Sequence, residues 1–83
     1  MQTMTRRAPL TVRARKSEIQ RLAFDRLGVT TNQALAERLG IDLANLSRVL
    51  NGRHAPSHIV IAALVKGLRA KFEDLFTIEI SAT

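Results

Sequence analysis

The 83-residue sequence has no cysteine, tryptophan or tyrosine, and only three phenylalanines and two prolines. Without cysteine there are neither disulfides nor thiolate metal sites, so any core must come from aliphatic packing. Hydrophobic residues make up 46% of the chain, enough for one small core. At this length folding buries only about 60–65% of the surface an unfolded chain exposes, so one domain of modest stability is expected. No run approaches the roughly eighteen apolar residues of a membrane-spanning helix, and the basic N-terminus, Met1 to Pro9, lacks the apolar stretch of a secretion signal. These absences predict a soluble, cytoplasmic protein.

Acidic residues are also scarce. Thirteen Lys and Arg oppose seven Asp and Glu, for a formal net charge of +6. A polyanion is the natural partner of such a chain, and a nucleoid location follows if that polyanion is DNA. Arg6, Arg7, Arg13, Arg15 and Lys16 all precede the first acid, Glu18, whereas the tail carries Glu73, Asp74 and Glu79. The plainer alternative is a solvated basic tail without a partner.

Hydrophobic spacing divides the chain into helices. Residues 1–10 predict a flexible basic arm, and Thr11 is placed to cap a first helix running to about Leu27, with Val12, Ile19, Leu22, Ala23 and Leu27 as its buried stripe. Gly28 suits its end, and Thr31 suits the cap of a second helix, Asn32 to Leu39, with Leu35, Ala36 and Leu39 inward and Glu37 and Arg38 in solvent. Gly40-Ile41-Asp42 then breaks the pattern, and Asp42 can cap a third helix, Leu43 to Leu50, whose Leu46, Val49 and Leu50 face inward. Asn51-Gly52 ends it. Ser57 caps a fourth helix in which Ile59, Val60, Ala62, Ala63, Leu64 and Leu68 predict extensive burial, with Gly67 as a helix-weakening residue. A short fifth helix is expected around Phe72 to Phe76.

The tail alternates Phe76, Ile78 and Ile80 with Thr77, Glu79 and Ser81, the period of a half-buried strand. A lone strand has no sheet to join. One reading pairs it with the same segment of a second chain, making Phe76, Ile78 and Ile80 a dimerisation strand; the other has these residues cover the monomer's own core.

The stretch Asn32-Gln33-Ala34-Leu35-Ala36-Glu37-Arg38-Leu39-Gly40-Ile41-Asp42-Leu43-Ala44-Asn45-Leu46-Ser47-Arg48-Val49-Leu50-Asn51-Gly52 resembles the helix-turn-helix of the Cro/CI family of small bacterial and phage repressors. A small Ala36 allows two helices to cross closely, Gly40 permits a sharp turn, and Ile41, Leu46 and Val49 anchor the second helix. The resemblance spans residues 12 to 76. It implies an all-α, five-helix lambda-repressor-like domain over residues 11–76, with residues 77–83 as a tail, and double-stranded DNA as partner.

The resemblance further implies that the helix after the turn enters the major groove, with Leu43, Ala44, Asn45, Ser47 and Arg48 as the base-reading face. Arg48 suits guanine and Asn45 suits adenine or a phosphate. Leu43 and Ala44 depart from the polar residues common there and suit thymine methyls; alternatively Leu43 joins Leu46 and Leu50 inside. Phosphate contacts are implied at Thr31, Asn32, Gln33, Asn51, Arg53 and His54, although Thr31 and Asn51 also serve as caps. Arg6 and Arg7 belong to the arm, while Arg13, Arg15 and Lys16 would meet the DNA backbone from the first helix.

His54 and His58, four apart like a metal pair, are the best argument for an enzyme. Pro56 and Ser57 between them place one in a loop and one at a helix start, without a third ligand or a nucleophile constellation, so neither metal, cofactor nor catalysis is expected. The expectation is a transcriptional repressor, homodimeric on its operator and without a small-molecule effector. The alternative on the same scaffold is an antitoxin or an excision accessory protein whose main partner is another protein.

Overall fold

The computed structural model describes residues 10–80; Arg6, Arg7 and the rest of the arm at 1–9 lie outside the described residues. The first described element is a strand, β1 (Leu10–Ala14), followed by α1 (Lys16–Leu27), α2 (Asn32–Leu39), α3 (Leu43–Leu50), α4 (His58–Leu68), α5 (Phe72–Leu75) and β2 (Phe76–Ile80). Five helices thus carry most of the described chain, and the two strands form one antiparallel sheet. This arrangement is compatible with a helix-turn-helix domain.

The sheet corrects the reading of both ends of the domain. Thr11 does not cap α1; it lies in β1, and α1 begins at Lys16, with Arg15 before it making no side-chain cap. The tail strand is not alone either. It pairs with β1 of its own chain in the register Leu10↔Ile80, Thr11↔Glu79, Val12↔Ile78, Arg13↔Thr77 and Ala14↔Phe76. The β-branched Thr11 and Val12 suit a pleated surface, and a partner 66 residues away, seen in the diagonal Arg13–Glu79 ion pair, satisfies backbone groups that local periodicity cannot place. The Arg15 N–H extends the tie by donating to the Leu75 carbonyl at 2.8 Å.

Opposed residues share a sheet face, so Ala14, Val12 and Leu10 line up with Phe76, Ile78 and Ile80. The two ends of this face differ. Phe76 is buried, stacked on Phe72 with ring centroids 5.0 Å apart, whereas Leu10, Ile78 and Ile80 are 64%, 61% and 69% exposed. Phe76 therefore begins β2, where the sequence pattern suggested a helix end, and it serves the monomer's core, one of the two roles the tail pattern left open. Val12 also packs against the core, but from the strand.

Each of the four longer helices contributes to one cluster: Ile19, Leu22 and Ala23 from α1; Leu35 and Ala36 from α2; Leu46, Val49 and Leu50 from α3; Val60, Leu64 and Leu68 from α4. Leu75 and Phe76 close it. Burying an aliphatic side chain this completely contributes about 1.5–3 kcal/mol, so the cluster is the main source of stability in a chain without disulfides. The fourth helix is less buried than its apolarity suggested. Ile59 is 61% exposed and Ala62 is exposed, because the Val60, Leu64 and Leu68 stripe faces inward with Ile61 and Val65 half-buried beside it.

Helix ends are capped as local chemistry dictates. Thr31, Asp42 and Ser57 accept from the N–H groups of Ala34, Asn45 and Val60 at 3.0, 2.8 and 3.3 Å. Asp74 likewise accepts from the Lys71 N–H at 3.1 Å, opening α5. At the C-termini, arginines cross between helices. Arg38 donates to the Leu27 carbonyl at the end of α1, so its head is engaged with the protein where solvent alone was expected. Arg26 donates to the carbonyls of Leu68 and Arg69 at the end of α4. A cation at a helix C-terminus both satisfies orphan carbonyls and opposes the macrodipole.

Candidate nucleic-acid interface

The connection between α2 and α3 is Gly40-Ile41-Asp42. Gly40 adopts φ 71°, a left-handed conformation that lets the Ile41 N–H turn back to the Ala36 carbonyl at 3.0 Å. Ala36 is fully packed at this point and Ile41 lies half-buried against the core. The chain then reverses into α3, with the Asp42 carboxylate on the amide of Asn45.

Anchored by Leu46, Val49 and Leu50, α3 turns its other side outward. Leu43, Ala44 and Arg48 are exposed, and Asn45 and Ser47 are half-buried at the margin. Leu43 is 39% exposed while Leu46 is 0%, so Leu43 does not complete the inward stripe. Among the described residues the Arg48 side chain forms neither an ion pair nor a hydrogen bond with the protein, which leaves its full fork of donors for an external acceptor.

At the far end of α3 the structure gathers residues from distant parts of the chain. The Asn51 N–H bonds to the Ser47 carbonyl, and its Oδ1 accepts from Lys16 Nζ at 3.4 Å. Gly52 has φ 76°, and a Cβ there would lie 2.6 Å from Arg13 Nη1, so Arg13 covers this turn. Arg53 and His54 follow, both exposed, with their N–H groups donating to the Arg48 carbonyl at 2.9 and 3.4 Å. Arg13 and Lys16 thus approach the end of α3, but from β1 and the very start of α1, a different route from the one expected. Arg15 is turned elsewhere, donating to the Glu73 carbonyl at 3.2 Å.

Thr31, Asn32 and Gln33 stand together at the start of α2; Thr31 Oγ1 is engaged as the cap, Asn32 is half-buried and Gln33 exposed. Glu79 was not foreseen. Its carboxylate binds Arg13 Nε at 3.0 Å across the sheet, and the only sequence signal was its alternation within the tail. Arg21 is committed within α1: its hydrogen bond and its charge hold the Glu18 carboxyl below the usual carboxylate range, and it also reaches Asp25 at 3.2 Å. Both histidines are exposed, His54 in the loop and His58 at the first turn of α4. Among the described residues no group of three His, Cys, Asp or Glu side chains gathers, and no helix is long and apolar enough to cross a membrane.

Over 42 residues, about 51% of this chain, the sequence is 48% identical to the uncharacterized HTH-type transcriptional regulator YvzC of Bacillus subtilis (strain 168). The matched segment spans about half the length of that relative, 54%. No family model and no solved structure matches the chain.

Proposed function

We propose that this chain is a sequence-specific DNA-binding transcriptional regulator of Cro/CI type, acting as a repressor that binds a short palindromic operator through the major groove. The observation that carries the reading is the outward face of α3, where Leu43, Ala44 and Arg48 project from a helix held on its other side by the core. The basic balance of the chain and its similarity to a transcriptional regulator of helix-turn-helix type support it.

Arg48 donates two hydrogen bonds to guanine, Leu43 and Ala44 touch thymine methyls, and Asn45 and Ser47 reach base edges or backbone at the margin. Thr31, Asn32 and Gln33 on one side and Asn51, Arg53 and His54 on the other hold phosphates, joined by Arg13 and Lys16. Two copies related by a twofold axis would read half-sites about 10–10.5 base pairs apart. Occlusion of polymerase is the simplest mechanism of repression for such a domain. Selection of bound sequences from a random duplex pool tests this: enrichment of a symmetric site is expected, and recovery of nothing above bulk DNA would defeat it.

A second reading keeps the scaffold and gives it a protein as main partner, as in an antitoxin or an excision accessory factor. The exposed apolar residues Leu10, Ile78 and Ile80 favour it. A purified protein that is monomeric, lacks operator preference and binds tightly to an unrelated chain would select this reading.

A further inference from the structure

Outside α3 lies a second concentration of charge. Among the described residues a cleft of about 710 Å³ is lined by Arg26, Leu27, Arg38, Lys66, Gly67 and Arg69, four cations and no acid, drawn from the ends of three helices. Arg26 and Arg38 hold helix C-termini, but among the described residues each uses only its Nη1: Arg26 for the Leu68 and Arg69 carbonyls at 2.8 and 2.6 Å, Arg38 for the Leu27 carbonyl at 3.2 Å. A guanidinium carries five N–H donors and a full charge, against about half a charge at a helix end. Most of each fork is therefore left over. Lys66 and Arg69 form no ion pair among the described residues.

Arg69 adds an independent observation. It terminates α4 with φ 55° and ψ 47°, and among the described residues it is the sole non-glycine with positive φ. The same role is filled by Gly28 after α1 and Gly40 after α2. A side chain in this conformation is strained, and glycine would relieve it. The position nevertheless carries an arginine, and that residue lines the same cleft as three other cations. Strain kept at a charged residue, in a concavity where like charges focus the field, is what an anion site would require.

We propose that the cleft walled by Arg26, Arg38, Lys66 and Arg69 binds a multiply charged phosphate anion. Arginine forks match phosphate oxygens in pairs, and the lysine supplies a point charge. The phosphates come either from a free phosphate compound or from the backbone of a nucleic acid. The proposal stands whether or not α3 reads bases.

Titration of the full chain with pyrophosphate at constant ionic strength, followed by amide NMR, tests it. Saturable shifts centred on positions 26, 38 and 66–69 are expected, weakened about ten-fold in the Lys66→Gln/Arg69→Gly variant. Arg69→Gly alone is expected to raise Tm while weakening binding, which separates loss of the site from loss of the fold. A salt titration with a random-sequence duplex identifies the source. If the double variant flattens the dependence of log K on log salt by about one to two units while pyrophosphate does not saturate, the phosphates are those of DNA. If pyrophosphate saturates and the slope is unchanged, the ligand is a free phosphate compound. No saturable shift together with an unchanged slope overturns the proposal, as does a pyrophosphate response undiminished in the double variant.

Discussion

Gly67 of α4 lies against Leu39 of α2 so closely that a methyl group added at position 67 would run into the Leu39 Cδ2. The glycine weakens α4 as a helix by about 0.5–1 kcal/mol relative to alanine, yet it allows the two helices to approach. Forcing a methyl into a packed contact costs about 1–3 kcal/mol. Gly67→Ala is therefore expected to destabilise the domain by about 1 kcal/mol net, read as a lowered urea midpoint. Leu39→Ala combined with it should cost less than the sum of the single changes, because the clash is then removed. An additive double variant would show that Leu39 is not the obstacle.

Arg48 and Arg53 are neighbours at the end of α3, exposed alike, but they predict different losses. Arg48→Ala is expected to cost about 1–3 kcal/mol on the preferred duplex and to relax preference at one base pair. Arg53→Ala should weaken all duplexes and reduce the salt slope by about one. Equilibrium binding to matched and scrambled duplexes at several salt concentrations distinguishes them, and equal losses of both kinds for Arg48→Ala would remove it from the reading face.

The region from Thr31 to Gly52 was legible because its signals are local. Thr31, Gly40 and Asp42 act on amides within three to five residues, and the inward Leu35, Ala36, Leu46, Val49 and Leu50 follow helical spacing. β1 was not legible. Its five residues do alternate, Leu10, Val12 and Ala14 against Thr11 and Arg13, but Val12 also fits the helical stripe of α1, and only the pairing with β2 decides between the two. Proximity in sequence to α1 made Thr11 look like a cap and Val12 like the start of a helical stripe. The contacts at the candidate interface divide in the same way: exposure of Arg48 follows from the face of its own helix, whereas Arg13 over Gly52 and Lys16 on Asn51 depend on where the sheet sets the start of α1. The exposed Ile59 shows the other limit, since an apolar residue in an apolar helix gives no sign of which side faces out.

Asp42 holds the first turn of α3 through a 2.8 Å bond to the Asn45 N–H, and it places a carboxylate on the end of the helix proposed to approach DNA. Asp42→Ala is expected to destabilise the fold by about 1 kcal/mol, the usual loss of an N-cap. Asp42→Asn preserves the cap acceptor and removes the charge, so it should keep nearly all the stability while raising nonspecific DNA affinity. Thermal unfolding and binding to bulk DNA check the two parts separately. An Asp42→Asn protein as unstable as Asp42→Ala would mean the charge, and not the hydrogen bond, holds the turn.

The outer half of the sheet makes the sharpest statement about assembly. Leu10, Ile78 and Ile80 lie on one face, all more than half exposed, while Phe76 on the same face is buried. If that face covers a second copy, Ile78→Asp with Ile80→Asp should halve the sedimentation mass and lower Tm only by the concentration-dependent contribution of the dimer, because neither side chain belongs to the monomer's buried core. Phe76→Ala should behave differently, costing about 3–5 kcal/mol of stability by opening the core. Removing residues 77–83 altogether would take the partner from β1 as well, so a truncated protein would lose stability and mass together and could not separate the two effects. The paired aspartate substitution does separate them, and a dimer that survives it at unchanged mass would place the interface elsewhere.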